Sequence, residues 1–174
     1  MNVRQTEIAG LYLIDLDVHA DDRGSFREAW QAEKMEQLGL PAFRPVQYNV
    51  AESRRGVTRG IHVEPWNKYI HLAAGKVFAA IVDTRQSEPT FGKVLTFELD
   101  CHRALFLSQG LGNSYQALTD QVVYTYLVTD HWRPNAGYAA IALDDPTLAI
   151  PWPLPREEWI VSEKDTNNPR FAII

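Results

Sequence analysis

Short segments in which apolar and polar residues alternate recur along this chain, and they constrain its fold more than any other feature. Gly, Pro, Asp and Asn separate the segments, which is typical of strands joined by turns. Many short strands of this kind predict an all-β sandwich or barrel. The predicted strands cover residues 11–18, 46–50, 77–83, 94–99, 104–107, 122–128 and 138–143.

Helical signals are few and short. Residues 28–38 form the best helix candidate, which Gly39 and Pro41 should end. Residues 162–165 predict a turn or a capped helical turn near the end of the chain. The prolines at 151, 153 and 155 exclude a central strand from the segment between these regions.

The segment around residue 48 shows how the alternation sorts side chains between two faces. Val46, Tyr48 and Val50 should pack against the rest of the sheet. Gln47 and Asn49 should then point the other way together, into the interior of a barrel. Two amides on an otherwise apolar strand would suit a polar ligand there.

Size, charge and cysteine content exclude several classes of protein. The 174 residues fit one domain, 1–174, and the net charge of −5 argues against nucleic acid or an anionic membrane as a partner. The single cysteine, Cys101, cannot form an internal disulfide. Residues 1–7 lack the apolar run of a secretory signal, and residues 77–82, among the longest apolar runs, are too short for a membrane span. We therefore expect a cytoplasmic protein.

The segment Arg59-Gly60-Ile61-His62, with Lys68 six residues later, places two cations and a histidine in one stretch of predicted strand. Packing of a core does not require this combination, but binding of an anionic substrate and transfer of a proton would. Arg59 and His62 have opposite parity, so a regular strand would point them apart. We predict that a bulge at Gly60 brings them together.

Seven motifs in a fixed order resemble those of the dTDP-4-dehydrorhamnose 3,5-epimerase family. Each motif is weak alone, but their order over nearly the whole chain makes the resemblance specific. The motifs are residues 22–28 (DRGSFRE), 47–49 (QYN), 56–62 (GVTRGIH), 82–85 with 89–92 (VDTR and PTFG), 124–134, 152–153 (WP) and 162–165 (SEKD).

This resemblance implies a double-stranded β-helix, or jelly roll, of the cupin type with a few short helices. It also implies a homodimer that uses no metal and no other cofactor. The substrate would be a dTDP-linked 4-keto-6-deoxyhexose of dTDP-rhamnose or related deoxysugar biosynthesis. The reaction would invert C3, C5 or both, by removing and returning a proton next to the ketone.

The resemblance also assigns four catalytic roles. His62 would be the base, and Asp165 would orient its imidazole. Lys68 would stabilise the enolate that forms at O4. Tyr126 would return the proton from the opposite face. Tyr124 has the same parity as Tyr126, and only the resemblance favours Tyr126 for this role.

Further matched residues would bind the substrate. Arg23 and Arg59 resemble the family's pyrophosphate and nucleotide contacts, where a guanidinium offers two parallel donors. Trp132 takes the place of an aromatic residue that stacks on thymine. The matched residues assigned to the nucleotide or the sugar are Glu28, Gln47 and Asn49.

The chain departs from the family pattern at two places. Asn113 stands where the family normally has a second histidine. Its amide can still hydrogen-bond a hydroxyl, so we keep Asn113 among the substrate-binding residues, but it cannot carry charge at neutral pH. Around residues 135–137 the family usually has a glutamate, and the loop is one residue shorter here. The variant with asparagine is similar to the epimerase halves of fused epimerase–reductases, which is consistent with a reductase partner, fused or separate.

Three alternatives stay open at this point. The protein could be a mono-epimerase that inverts C3 or C5 only, or a non-catalytic cupin that binds a sugar nucleotide. It could also be a metal-dependent cupin, which would need a His-x-His pair with a further Glu and His. The chain has His62 and Glu64 but no His-x-His pair, so we expect no metal site.

Overall fold

Antiparallel β-structure dominates the part of the chain that the computed structural model describes, which is residues 1–134, 136 and 138–171. The predicted all-β class with a few short helices is confirmed. The helices are α1 (Ala32–Gln37), a 3-10 turn at Arg156–Glu158, and α2 (Glu163–Thr166). The strands are β1 (Asn2–Gln5), β2 (Leu11–Asp15), β3 (Val18–Asp21), β4 (Gly24–Arg27), β5 (Gln47–Ser53), β6 (Thr58–Val63), β7 (Lys68–Ala74), β8 (Val77–Asp83), β9 (Val94–Leu99), β10 (Arg103–Leu107), β11 (Leu111–Ala117), β12 (Val122–Val128) and β13 (Ala139–Ala140).

Two sheets face each other and enclose the central core. One sheet has six strands in the order β1-β2-β10-β7-β12-β5, and the other has five in the order β13-β6-β11-β8-β9. Ile70 and Leu72 of the first sheet meet Ile81 and Tyr115 of the second in one buried cluster. β3 and β4 form a separate hairpin. The interior between the two sheets is therefore the space that side chains from both can line.

Each sheet also carries a smaller cluster on its outer face. Met35 of α1 packs with Phe43 and Phe106 against the six-stranded sheet. Residues of the C-terminal tail, including Trp152 and Trp159, pack with Ile61 against the five-stranded sheet. The tail is thus fixed behind β6, which decides where α2 lies.

Two of the predicted strands are shorter in the structure. The strand predicted at 11–18 ends at Asp15, although the N–H of Leu16 still donates to the carbonyl of His102, and β3 begins at Val18 in a separate hairpin. The strand predicted at 138–143 is wrong beyond β13. Ile141 still exchanges both backbone hydrogen bonds with Ile61 of β6, and the chain leaves the sheet at Ala142, whose N–H donates to the carbonyl of Pro169 in the tail.

The predicted helix at 28–38 is reduced to α1, while the capped turn near the C-terminus is confirmed. Gln31 begins α1, since its side chain accepts from the N–H of Lys34. Gly39 follows the helix with φ of 96°, a conformation that glycine adopts at helix ends. None of the helices that the described residues form is both long and apolar enough to span a bilayer.

The alternation predicted for β5 is present, but one of its faces is not covered. Val46, Tyr48 and Val50 are 53%, 54% and 55% exposed, so the prediction that they pack against the sheet is wrong within one protomer. Gln47 and Asn49 point together to the other side, as predicted, and the Gln47 Nε2 donates to the Asn49 Oδ1 at 2.8 Å. The apolar stripe on the outer face has no partner among the described residues.

Candidate active site

A bulge in β6 brings Arg59 and His62 to the same face. His62 lies opposite Asn113 of β11 and Arg59 lies opposite Tyr115, so β6 has one more residue than β11 between these pairs. Directly opposed residues point to the same side of a sheet, and Tyr115 belongs to the core between the sheets. The predicted bulge is confirmed, and both side chains face the interior.

Glycine is required at the centre of this bulge. Gly60 has φ of 124°, which side chains rarely tolerate. A Cβ atom there would also lie 2.5 Å from the Cβ of Ser114 on the neighbouring strand. The bulge that orients His62 therefore depends on the absence of a side chain at this position.

His62 is paired with Asp165, which lies 103 residues later in the chain. The His62 Nε2 is 2.8 Å from the Asp165 Oδ1, and Asp165 is 6% exposed. Burial alone would raise the pKa of Asp165, but the hydrogen bond and charge of His62, with the Gly60 N–H, outweigh it and lower this pKa. Asp165 is therefore a carboxylate at neutral pH and can orient the imidazole.

The six-stranded sheet presents a second group of polar side chains to the same interior. Tyr126 of β12 lies opposite Asn49, and Val128 lies opposite both Gln47 and Lys68. These positions share one face, because they differ by even numbers of residues along paired strands. The predicted residues Gln47, Asn49, Lys68 and Tyr126 are thus brought together on this face.

Lys68 and Tyr126 are in direct contact. The Lys68 Nζ lies 4.9 Å from the centre of the Tyr126 ring and forms an ion pair with Glu64. Burial, followed by the negative charge of Glu64, raises the pKa of Tyr126 to about 12. The phenol therefore keeps its proton at neutral pH, as a proton donor requires.

Asn113 is held by Tyr124, the neighbour that shares the parity of Tyr126. The Tyr124 hydroxyl donates to the Asn113 Oδ1 at 3.1 Å, and its ring stacks on Tyr115 with centroids 4.1 Å apart. Burial raises the pKa of Tyr124, so this hydroxyl remains a donor. Tyr124 is 1% exposed and supports Asn113, which lies opposite His62.

A cavity of about 230 Å³ lies beside these residues. Trp132, which is 56% exposed, lines it, and the Trp132 backbone N–H donates to the Gln47 Oε1 at 2.9 Å. A half-exposed indole next to fixed amides offers a flat surface on which a base could stack. The cavity is lined by Gln47, Asn49, Glu64, Trp66, Tyr126 and Trp132.

Arg23 and Glu28 do not join this group within one protomer. Arg23 lies on the β3–β4 hairpin, where its side chain is 90% exposed and hydrogen-bonds to Asp21. It lines a different cavity, of about 540 Å³, together with Phe26. Glu28 forms an ion pair with Lys34 near α1. The departure noted at residues 135–137 falls in part on Asn135 and Gly137, which lie outside the described residues.

Sequence reasoning missed Glu64, Trp66 and Tyr124 as parts of the site. Glu64 is two residues from His62, so period two already places it on the same face, and this signal could have been used. Among the described residues, no group of three or more His, Cys, Asp and Glu side chains is arranged to hold a metal ion. The prediction that the protein needs no metal stays a prediction.

Two facing antiparallel sheets with polar side chains in the space between them are the architecture of the cupins. A sequence model of the dTDP-4-dehydrorhamnose 3,5-epimerase family matches residues 5–172. The chain belongs to this family of cofactor-independent dTDP-sugar epimerases.

Individual relatives agree with this assignment over almost the whole chain. An RmlC homolog from Streptococcus pyogenes is 43% identical over 95% of this chain and 87% of its own length. A dTDP-4-dehydrorhamnose 3,5-epimerase from Streptomyces griseus is 36% identical over 98% of this chain and 86% of its own. The structure of RmlC from Streptococcus suis with dTDP-D-xylose has a TM-score of 0.92 at 42% identity, covering 97% of this chain and 90% of that one. This similarity confirms the predicted cupin jelly roll.

Proposed function

We propose that the protein epimerises a dTDP-4-keto-6-deoxyhexose at C3 and C5. One observation carries this proposal: a histidine paired with a carboxylate faces the interior from one sheet, and a protonated phenol faces it from the other. Inversion of a carbon centre needs a base and an acid on opposite sides of the sugar. The two sheets supply them from opposite walls.

The reaction follows from these positions. The C4 ketone makes the hydrogens on C3 and C5 acidic, and His62 takes one of them as a base while Asp165 stabilises the imidazolium. The electron pair moves to O4, where Lys68 donates to the enolate. Tyr126 then gives its proton to the carbon from the other face, which inverts the centre.

The remaining groups suit a nucleoside diphosphate. Gln47 and Asn49 offer fixed amides in the cavity, and Trp132 offers a stacking surface beside them. Arg59 faces the interior from β6 and would bind the diphosphate. The Streptococcus suis relative binds dTDP-D-xylose, which supports a dTDP-linked ligand for this chain.

A homodimer would cover the apolar stripe on β5. Val46, Tyr48 and Val50 are more than half exposed on the outer face of the six-stranded sheet, and Phe26 of the β3–β4 hairpin is 70% exposed. A second copy of the chain could bury these side chains. The hairpin that carries Arg23 would then lie at the interface, which offers a route for Arg23 to reach a site outside its own protomer.

Inversion at one centre only is a second candidate, and Asn113 is the observation that favours it. Asn113 lies opposite His62 where the family pattern has a histidine, and Tyr124 fixes its amide. A neutral amide holds the intermediate less strongly than a cation would. Relatives include a dTDP-4-dehydro-6-deoxyglucose 3-epimerase from a Streptomyces species. In either case the product keeps its ketone, and a reductase, fused or separate, is the partner that the asparagine variant favours for the next step.

Proton NMR of dTDP-4-keto-6-deoxyglucose with the protein in heavy water tests this proposal. We expect the C3 and C5 signals to disappear with the wild type, and His62→Ala to slow this exchange about 10³-fold or more. His102→Ala, which changes an exposed histidine, should exchange like the wild type. Loss of one signal would support the mono-epimerase. Binding without any exchange would contradict catalysis and leave a binding protein.

A further inference from the structure

Glu64 is the charged residue of the cavity for which the proposed reaction has no role. It follows β6 directly and lines the cavity together with Tyr126. Its side chain is 15% exposed, and the side chain of Lys68, with which it forms an ion pair, is 6% exposed. A buried carboxylate beside a catalytic cation costs desolvation free energy, so its presence calls for a function.

The surroundings of the Lys68 ammonium suggest what this function is. In the described part of the chain, Glu64 is the hydrogen-bond partner of the Lys68 Nζ, and the centre of the Tyr126 ring lies 4.9 Å from the same nitrogen. An ammonium has three N–H donors. The carboxylate accepts from one of them, so a remaining N–H can serve a substrate oxygen beside the Tyr126 ring.

The backbone around Glu64 is itself restricted. Pro65 follows it, which restricts Glu64 to an extended conformation. Asn67, the last residue before β7, donates its N–H to the Thr129 Oγ1 at 3.1 Å and accepts from the Gln109 N–H at 3.0 Å. The Glu64 carbonyl accepts from the Gly110 N–H at 3.5 Å. The backbone that carries Glu64 is therefore held by hydrogen bonds to neighbouring segments, and it presents the carboxylate to Lys68 from a fixed position.

We propose that Glu64 is a positioning residue that acts through Lys68: it holds the ammonium over Tyr126 with its remaining N–H directed at the C4 oxygen of the substrate. This inference rests on the proposed function, because it requires Lys68 to stabilise the enolate. The charge of Glu64 also favours the protonated phenol of Tyr126, which is the form that returns the proton.

The test compares Glu64→Gln and Glu64→Asp with the wild type on dTDP-4-keto-6-deoxyglucose. Glu64→Gln keeps the size of the side chain but removes its charge, and we expect kcat to fall about 10-fold with KM and the Kd for dTDP nearly unchanged. Glu64→Asp restores the charge and should recover part of kcat. Glu36→Gln removes a carboxylate from the surface ion pair with Arg44 and should match the wild type.

Three results would overturn the inference. The first is an unchanged kcat in Glu64→Gln, and the second is a Glu64→Asp variant no better than Glu64→Gln. The third comes from a double-mutant cycle: if Glu64→Gln lowers exchange by the same factor in a Lys68→Ala background, Glu64 does not act through Lys68. If Lys68→Ala shows no exchange above the uncatalysed rate, the cycle cannot be completed. The kcat and KM values of Glu64→Gln and Glu64→Asp then test the inference through the first two results. An inactive wild type would instead contradict the proposed function itself.

Discussion

The two walls of the site are built in different ways. On the five-stranded sheet, His62 depends on a carboxylate 103 residues away, which arrives only when the C-terminal tail has packed behind β6. On the six-stranded sheet, Lys68 is fixed by Glu64 four residues away and by Tyr126 on the adjacent strand. The base wall thus depends on the C-terminal tail packed behind its sheet, whereas the acid wall depends on contacts between paired strands and on the loop just before β7. Substitutions in the two walls should therefore change hydrogen exchange and inversion in different ways.

Removal of the acid, Tyr126, should give the largest difference between the rate of hydrogen exchange and the rate of inversion. Tyr126→Phe removes the hydroxyl while His62 and Asp165 remain, so we expect hydrogen exchange to continue but inverted product to form about 10³-fold more slowly. NMR in heavy water, with the product sugar resolved from the substrate, measures both rates. Tyr48→Phe changes a tyrosine on the outer face and serves as the control. If exchange and inversion fell together in Tyr126→Phe, the two walls would not act separately.

Loss of the carboxylate should slow both processes equally. Asp165→Asn keeps the shape of the side chain but removes the charge that stabilises the imidazolium, so exchange and inversion should both fall about 10²-fold. In the wild type the pKa of Asp165 is lowered, so its stabilising contribution is complete above the ordinary carboxyl pKa and is lost as the pH falls through the lowered value. Thermal unfolding followed from neutral to acidic pH should show a larger loss of stability in the wild type than in Asp165→Asn, because the other carboxyls with a lowered pKa, such as that of Asp83, titrate in both. Asp144→Asn, in an exposed ion pair with Arg170, provides the comparison.

A substitution on the outer face of the six-stranded sheet should change turnover least. Val50→Asp places a charge in the apolar stripe, so we expect the dimer to dissociate. KM should then rise because Arg23 no longer reaches the site of the other protomer, while kcat changes by no more than about twofold. Light scattering after size-exclusion chromatography measures the mass. Ile160→Asp, at an apolar residue that pairs with Val57 beside the other sheet, should remain dimeric. A monomeric wild type, or a dimeric Val50→Asp, would contradict the proposed interface.

The sequence predicted the composition of β5 but not its orientation. Alternation separates Val46, Tyr48 and Val50 from Gln47 and Asn49, and this separation is present. Alternation does not say which face meets a sheet within the same protomer. The apolar face is left for another surface, and one chain considered alone gives no signal for that.

β11 could not be predicted, because its composition is that of a turn. Gly112, Asn113 and Ser114 follow Gly110, and all of these residue types favour loops. In the structure they form a central strand, since packing overrides local preference. A Cβ atom at Gly112 would lie 2.8 Å from the Ile61 Cγ2, so the tight contact with β6 accounts for this glycine.

The contacts of the site differ in how far the sequence could predict them. The family resemblance supplied the pair of His62 and Asp165, which no periodicity could connect over 103 residues. The ion pair between Glu64 and Lys68 depends on the path of the loop through Pro65, which the sequence alone does not fix. Whether Arg23 and Glu28 bind the ligand depends on an assembly larger than one chain.

The bulge at Gly60 also limits how the sequence of this protein could change. The extra residue shifts the alternation of side chains along β6. Odd-numbered residues before the bulge, such as Arg59, and even-numbered residues after it, such as His62, therefore face the same interior. A deletion of one residue there would turn Arg59 outward without touching His62. A substitution would meet Ser114 at once. Substitutions at Gly60 should therefore be rejected. Changes in substrate specificity should arise instead on the opposing strand β11, where Asn113 already stands in place of a histidine.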